Sequence, residues 1–273
     1  MRSKQIALAV LVCSAALLAS GCTKLKARDN LNNGVRAFKS GQFSEAADKF
    51  KEACDLDPEW NTPRLYLAMS YMSQWIPGSD SPENKRFAQS ALEQFDKVLA
   101  ANPTDQDKQV ATASIASLYF NQKDFDKAVE WNKKLIAIKS DSKEAYYTLG
   151  VIAWTKWVQE DLKARADMKM KREDPGPLKD KKVKEGLKAT WMPILDEGVQ
   201  AMNKALQIDP NYDDAMAYMN LLIRYRADLL DTPEEWKKES AAADDWVNKS
   251  MEAKRINQEK KEKAAQGQMK ADK

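Results

Sequence analysis

Histidine is absent from all 273 residues. That removes the commonest general base, the Ser-His-Asp and Cys-His triads, and every zinc site with an imidazole ligand. Glycine is scarce, with nine residues, none of them in a GxGxxG or GxxxxGK spacing, so the familiar phosphate-cradling loops are missing as well. Neither sign of charge dominates: 44 Lys and Arg face 41 Asp and Glu, a formal balance of +3. A near-neutral chain exerts no long-range pull on nucleic acid or anionic lipid through its net charge. What the chain does have is apolar material, 43% hydrophobic residues with eight Trp, which is ample for a packed core. The composition favours binding over catalysis, with no enzyme activity, cofactor or metal expected.

The N-terminal segment reads as an export signal. Arg2 and Lys4 precede an apolar run from Ile6 to Ser20. As a helix this run spans about 22 Å, short of the ~30 Å hydrocarbon core of a bilayer. It ends in Leu18-Ala19-Ser20-Gly21-Cys22, small residues set directly before a cysteine. The pattern resembles a bacterial lipobox, with Ala19 where Leu is usual, and implies cleavage after residue 21 and lipidation of Cys22. Loss of Arg2 and Lys4 lowers the formal charge from +3 to +1. Cys13 leaves with the signal, so Cys54 remains as the sole free thiol and no intramolecular disulfide is expected. The resemblance implies a protein held in the bacterial cell envelope by its lipid and facing the periplasm. Because Thr23 is not Asp, the outer membrane is expected rather than the inner.

The rest of the chain repeats. Segments ending at Pro58, Pro103 and Pro210 carry the same small and large residues upstream. Gly34, Phe43, Ala46, Phe50 and Ala53 precede the first proline, and Ala91, Phe95 and Val98 the second. Gly198, Met202 and Ala205 precede the third. A further copy has Ile115, Ala116, Tyr119, Phe125, Ala128 and Leu135 with Ser140 in place of the proline, and a degenerate one runs from Asp213 to about Ser250. Small residues let two helices approach closely, large ones fill the gaps between pairs, and the proline stops the second helix. This pattern resembles the tetratricopeptide repeat. The resemblance implies an all-α fold, a right-handed superhelix of about five helix-turn-helix repeats.

The expected layout is a signal peptide over 1–21, a lipidated N-terminus and short tether over 22–28, a repeat solenoid over 29–250, and a charged C-terminal tail over 251–273, frayed helix or disordered. Two stretches are extra to the repeat. Residues 72–82 read as an inserted loop around Trp75-Ile76-Pro77-Gly78. Residues of about 155–190 read as an inserted helical hairpin, with stripes Trp154, Val158, Leu162, Ala166 and Val183, Leu187, Trp191 packed on each other. Its first helix is expected to run from Lys143 to Arg172, and its tip, Asp167 to Lys182, to be solvated.

The repeat's own pattern implies a groove lined by the first helix of each pair. Carried onto this chain it selects Phe38, Leu65, Tyr66, Met69, Phe120, Tyr147, Val151, Trp154 and Tyr218 as a partner-binding surface, with Tyr225 on the same face. Aromatic and Met side chains supply contact area and adapt to varied partners; the same residues at helical spacing also suit a core. The expected function is a membrane-anchored periplasmic scaffold that binds another envelope protein or an extended peptide, in the assembly of an envelope complex. The expected partners are thus a protein or peptide and, through the lipid, the membrane, with no nucleic acid. The alternatives are an envelope enzyme or enzyme subunit using a Glu or Asp pair on cell wall, though no pair stands out, and an RNA-binding helical repeat, against which export and the near-zero charge both argue.

Overall fold

The computed structural model describes residues 22–171 and 173–271; the signal segment 1–21 lies outside the described residues. Every regular element among these residues is a helix. The chain divides into two compact units, the first ending at Lys134 and the second beginning at Leu135. No helix among the described residues is long and apolar enough to cross a membrane.

The first unit contains α1 (22–39), α2 (Phe43–Leu56), α3 (Asn61–Gln74), α4 (Pro82–Ala100) and α5 (Asp105–Asn121), and α6 (Phe125–Ile138) begins in it. Residues 22–28, expected as a tether, are helical and belong to α1. Helices α1 and α2 meet where Gly34 faces Phe50. A methyl group on Gly34 would lie 2.5 Å from the Phe50 ring, so only glycine allows this approach. One apolar cluster joins Ala37, Ala46, Phe50 and Leu67; a second joins Leu65, Ala91, Phe95, Val98, Ile115 and Leu118. The helix starts are locally encoded. The Ser81 and Thr104 side chains each accept a backbone N–H three residues on, both at 3.1 Å, and Pro82 opens α4.

The expected inserted loop is shorter than 72–82, because α3 continues through Gln74 and the loop occupies 75–81. Buried Asn84 fixes it. Its side-chain oxygen accepts the Ile76 N–H at 2.7 Å, while its amide donates to the carbonyls of Ile76 and Ser79 at 2.8 and 2.9 Å.

The second unit contains α7 (Lys143–Asp167), α8 (Lys181–Ile208), α9 (Asp213–Ala227) and α10 (Pro233–Ala271). Helices α7 and α8 form the long pair, and Trp157, fully buried, is its centre. Its ring lies 5.7 Å from that of Trp191, and its indole N–H donates to the Tyr225 carbonyl at 3.1 Å. Gly150 admits Met202, and Gly198 admits Ala153, at 2.6 and 2.8 Å from where a methyl would sit. Of the expected stripe on α7, Val158 is buried but Ala166 is exposed, and on α8 Val183 is exposed. Pro193 lies within α8 on an exposed face, where the helix tolerates the one lost backbone bond.

Helix α7 stops at Asp167 rather than Arg172, and the segment after it is not a free solvated tip. Met170 and Leu178 are buried, and the Leu178 N–H donates to the Asp228 carbonyl at 2.9 Å. Lys184, also buried, donates to the carbonyls of Leu230 and Asp231 at 2.9 and 3.3 Å. The inserted segment is therefore folded back onto the connection between α9 and α10. Of the two forms expected for the tail, the structure has the helical one, since α10 continues to Ala271 as one helix. Ser250 donates to the Asp213 carbonyl at 3.0 Å and Asn257 to that of Asn211 at 2.8 Å, so packing on α9 extends well into the tail.

Three helix ends use one turn. After α1, Gly41 and Gln42 donate to the carbonyls of Phe38 and Ala37; after α5, Lys123 and Asp124 donate to Phe120 and Tyr119; after α7, Lys169 and Met170 donate to Ala166 and Arg165. The turn needs a left-handed residue, which is Gly41 (φ 75°) in the first case but Lys123 (φ 62°) and Lys169 (φ 55°) in the others. Lys123→Gly is accordingly expected to raise stability by about 0.5–1 kcal/mol, and Gly34→Ala to lower it by about 1–3 kcal/mol. Urea denaturation followed by circular dichroism checks both; a destabilised Lys123→Gly protein would show that the turn is held by its side chain instead.

Candidate functional site

The residues selected from the sequence separate into two groups. In the first unit Phe38 and Tyr66 belong to a ring cluster, with centroids 5.2 Å from Phe38 to Phe43, 6.4 Å from Phe38 to Tyr66, and 5.2 Å from Tyr66 to the buried Phe50. Met69 is half-buried against the cluster built on Phe95, and Phe120 is half-buried beside Phe125 at 6.1 Å. Leu65 is only 7% exposed and lies in the core, leaving a ligand little to touch.

In the second unit the structure brings Tyr147, Trp154, Tyr218 and Tyr225 into one line and adds Tyr212. The centroids run Tyr212 to Tyr147 at 5.2 Å, Tyr147 to Tyr218 at 5.5 Å, Tyr218 to Trp154 at 5.5 Å, and Trp154 to Tyr225 at 6.2 Å. Helical geometry explains the spacing. Tyr147 and Trp154 are seven residues apart on α7, as are Tyr218 and Tyr225 on α9. Seven residues are about two turns, roughly 10.5 Å, and interleaving two such rows halves that to about 5 Å. Val151, between the two α7 rings in sequence, is 5% exposed and packs inward. Tyr225 is largely buried, whereas Tyr147, Trp154, Tyr212 and Tyr218 are half-buried.

The ladder is electrically quiet along its length and charged at its ends. Burial, then the neighbouring Tyr218, pushes the Tyr147 phenol upward, and burial with Glu144 pushes Tyr212 up to about 12, so both stay neutral hydrogen-bonding groups. At the Tyr212 end the Lys143 ammonium stands 4.9 Å from the ring centroid and 2.6 Å from Asp209. The hydrogen bond to Lys143 draws the Asp209 carboxyl down and that to Asp209 draws the Lys143 ammonium up. The contribution of this pair is present between the ordinary carboxylate and ammonium ranges and lost beyond either; at its exposure it is worth under about 1 kcal/mol.

At the Tyr225 end lies a cavity of about 490 Å³ lined by Arg165, Glu173, Asp174, Pro175, Leu221, Arg224, Tyr225, Asp228 and Trp236. Arg165 is buried at its floor, 2.6 Å from Asp228 and 3.1 Å from Asp161. Its remaining amino group donates to the carbonyls of Lys171 and Asp174, both at 3.4 Å. Trp236 donates its indole N–H to Asp228 at 3.0 Å. Burial drives the Asp228 carboxyl up, against the pull of Arg165; burial drives Arg165 down, but the two carboxylates outweigh it. Sequence reasoning missed this knot, since Asp161 and Arg165 stand four apart on a helix and look like a surface pair.

Among the described residues no group of three or more Cys, Asp or Glu side chains is placed to hold a metal ion. Cys54 is half-buried on α2, and burial raises its thiol to about 11, so it remains protonated at neutral pH. The charged knot makes a stability prediction. Arg165→Leu takes the paired cation from the buried Asp228 carboxylate and is expected to cost about 3–5 kcal/mol. The Asp228 carboxyl, already raised, then rises further, and a raised carboxyl destabilises the fold above its pKa, so the deficit should shrink as the pH falls from about 7 to about 4. Urea titrations of the parent and the variant at both pH values test this; an equal deficit at each would show that lost packing, not charge, is responsible.

No protein-family model matches the chain, and no curated protein matches it. Among solved structures it resembles MamA from Desulfovibrio magneticus RS-1 (residues 41 to the end), at 19% identity and a TM-score of 0.55, over 85% of this chain and 96% of that one. Another MamA crystal structure matches at 16% identity and a TM-score of 0.54, over 86% and 94%. YrrB, described as a tetratricopeptide-repeat protein with an unusual peptide-binding site, follows at 13% identity and 0.49, over 83% and 90%. At these identities the likeness is one of fold, and that fold, helix pairs closed by small residues, is the tetratricopeptide-repeat architecture.

Proposed function

We propose that the chain is a lipid-anchored scaffold of the bacterial envelope, facing the periplasm, that binds another envelope protein or an extended peptide during assembly of an envelope complex. The observation that carries the reading is the aromatic ladder from Tyr212 to Tyr225. Its rings are 5.2 to 6.2 Å apart. Alternate side chains of an extended peptide repeat at about 6.7 Å, a comparable step. Rings already packed edge to face give up little freedom on binding, which favours them as anchors. Four of the five remain half-buried rather than closed off.

The anchor follows from the lipobox-like sequence, and the outer membrane is the expected site because Thr23 follows Cys22. Cys22 is exposed and lies within α1, so a lipid there would be joined to helix without an intervening flexible stretch.

Two measurements test these claims. A photo-crosslinking residue placed at Tyr147 in cells is expected to give a discrete protein adduct, absent when the probe sits at the exposed Gln200 of α8 and lost with Tyr218→Ala. Equal labelling from both positions would sink the ladder as a binding surface. Cys22→Ser is expected to move the protein from the membrane to the soluble fraction and abolish incorporation of an alkynyl fatty acid; unchanged membrane association would remove the lipid anchor from the reading.

A further inference from the structure

The loop inserted after α3 does more than connect two helices. With one side of α4 and the end of α5 it encloses a cavity of about 660 Å³, within the range of small-ligand sites. Trp75 and Ser79 come from the loop, Gln89 and Leu92 from α4, and Asn121 and Gln122 from the end of α5. Each wall has support behind it. Asn84 holds the loop by its three bonds to Ile76 and Ser79. Trp75 and Leu92 are half-buried against the core around Phe95 and form an apolar wall.

Two amides at the rim are fixed in the same sense. The Asn121 side-chain amide donates to the Ser117 carbonyl at 2.8 Å, and that of Gln89 donates to Glu93 at 3.0 Å. Each amide nitrogen is thus engaged one turn away on its own helix, which leaves the carbonyl oxygen as an acceptor. Charge does not select the ligand. Lys85 pairs with Asp80 at 3.2 Å, and these side chains are 66% and 95% exposed. Lys123 is exposed as well, so a charged ligand meets no buried counter-charge and its contacts are screened by water.

What the cavity offers is an apolar wall with one aromatic ring, facing a rim of uncharged donors and acceptors. A hydroxyl donates and accepts through one atom and rotates to suit its partner, so a ligand rich in hydroxyls satisfies such a rim. A peptide brings N–H and C=O groups in fixed alternation and leaves some of them unpaired there. A sugar ring carries hydroxyls around its edge and C–H groups on its face, which matches both halves of the cavity. We infer that this cavity takes a neutral saccharide, with ring C–H groups against Trp75 and hydroxyls on Gln89, Asn121 and Gln122. The site lies in the first unit, on residues that have no part in the aromatic ladder, so the inference is independent of the peptide-binding reading. It gives the scaffold a hold on a glycan in addition to one on a protein.

The test is saturation-transfer NMR on the full-length protein in lauryldimethylamine oxide, a detergent without a sugar headgroup. The probes are the neutral trisaccharides maltotriose, cellotriose and triacetylchitotriose, with trialanine and inorganic phosphate as competitors. At least one trisaccharide should receive saturation, most strongly at the ring protons of one face, and neither competitor should displace it. Trp75→Ala should abolish the signal. Because Trp75 also packs on the core, the second variant is the exposed pair Gln89→Ala, Asn121→Ala, which should weaken binding about tenfold. Tyr218→Ala, in the ladder, should bind the sugar as the parent does. Saturation of none of the three sugars would overturn the inference, as would undiminished binding by the amide pair variant. Displacement by trialanine or by phosphate would overturn it too, and would reassign the cavity to a peptide or an anion.

Discussion

A methyl group added to Gly34, Gly150 or Gly198 would meet its neighbours at 2.5, 2.6 or 2.8 Å. These close approaches set how near the helices of each unit can come, and most other features of each unit are consequences. With α7 and α8 drawn together at Gly150 and Gly198, Met202 is fully buried and Trp157 and Trp191 pack ring against ring. At Gly198 the side chain of Leu222 from α9 also comes within 3.2 Å of the missing methyl, so one glycine seats two neighbours. Interiors packed at crystal-like density do not absorb an extra methyl there without displacing a side chain.

The insertion uses a different kind of bond. An apolar hairpin would have packed more cheaply, because burying Arg165 with two carboxylates incurs desolvation that the pairing only partly offsets. What the charges add is direction. Arg165 fixes the carbonyls of Lys171 and Asp174, Asp228 fixes Trp236, and the Asp228 backbone takes the Leu178 N–H. A greasy contact would hold the same segment in several registers, whereas these bonds are satisfied in one. That is a reason for a long insert to be folded down rather than left to protrude.

This division explains what the sequence made legible. The helix pairs could be read because their causes are local: small residues at fixed offsets, a proline after the second helix, Ser81 and Thr104 at helix starts. Tyr147, Trp154 and Tyr218 could be named because a repeat carries its face from copy to copy. Tyr225 follows from the same face rule, seven residues after Tyr218, whereas Tyr212 entered the ladder only when α7 and α9 were seen side by side. Leu65 and Val151 were selected by the same face rule but lie just far enough round their helices to be core. Asn84, Arg165 and Lys184 had no signal, since each is an ordinary polar residue on a helix until its distant backbone partners are known. The inserted tip misled for the same reason, as mixed charge describes a solvated loop and a pinned one equally well.

Contact between half-buried rings also constrains how this surface can vary. Each ladder ring touches the next, so replacing one changes the packing of its neighbours as well as the face offered to a partner. Tyr218 lies against both Tyr147 and Trp154, and losing it would loosen two anchors at once. A free surface residue can change with little consequence; a ladder residue cannot, because rings in contact do not contribute independently. Glu173 and Asp174, on the connecting segment rather than on a packed helix, are not bound in this way. Substitution is therefore easier on the connecting segment than along the ladder, where each ring is held by its neighbours.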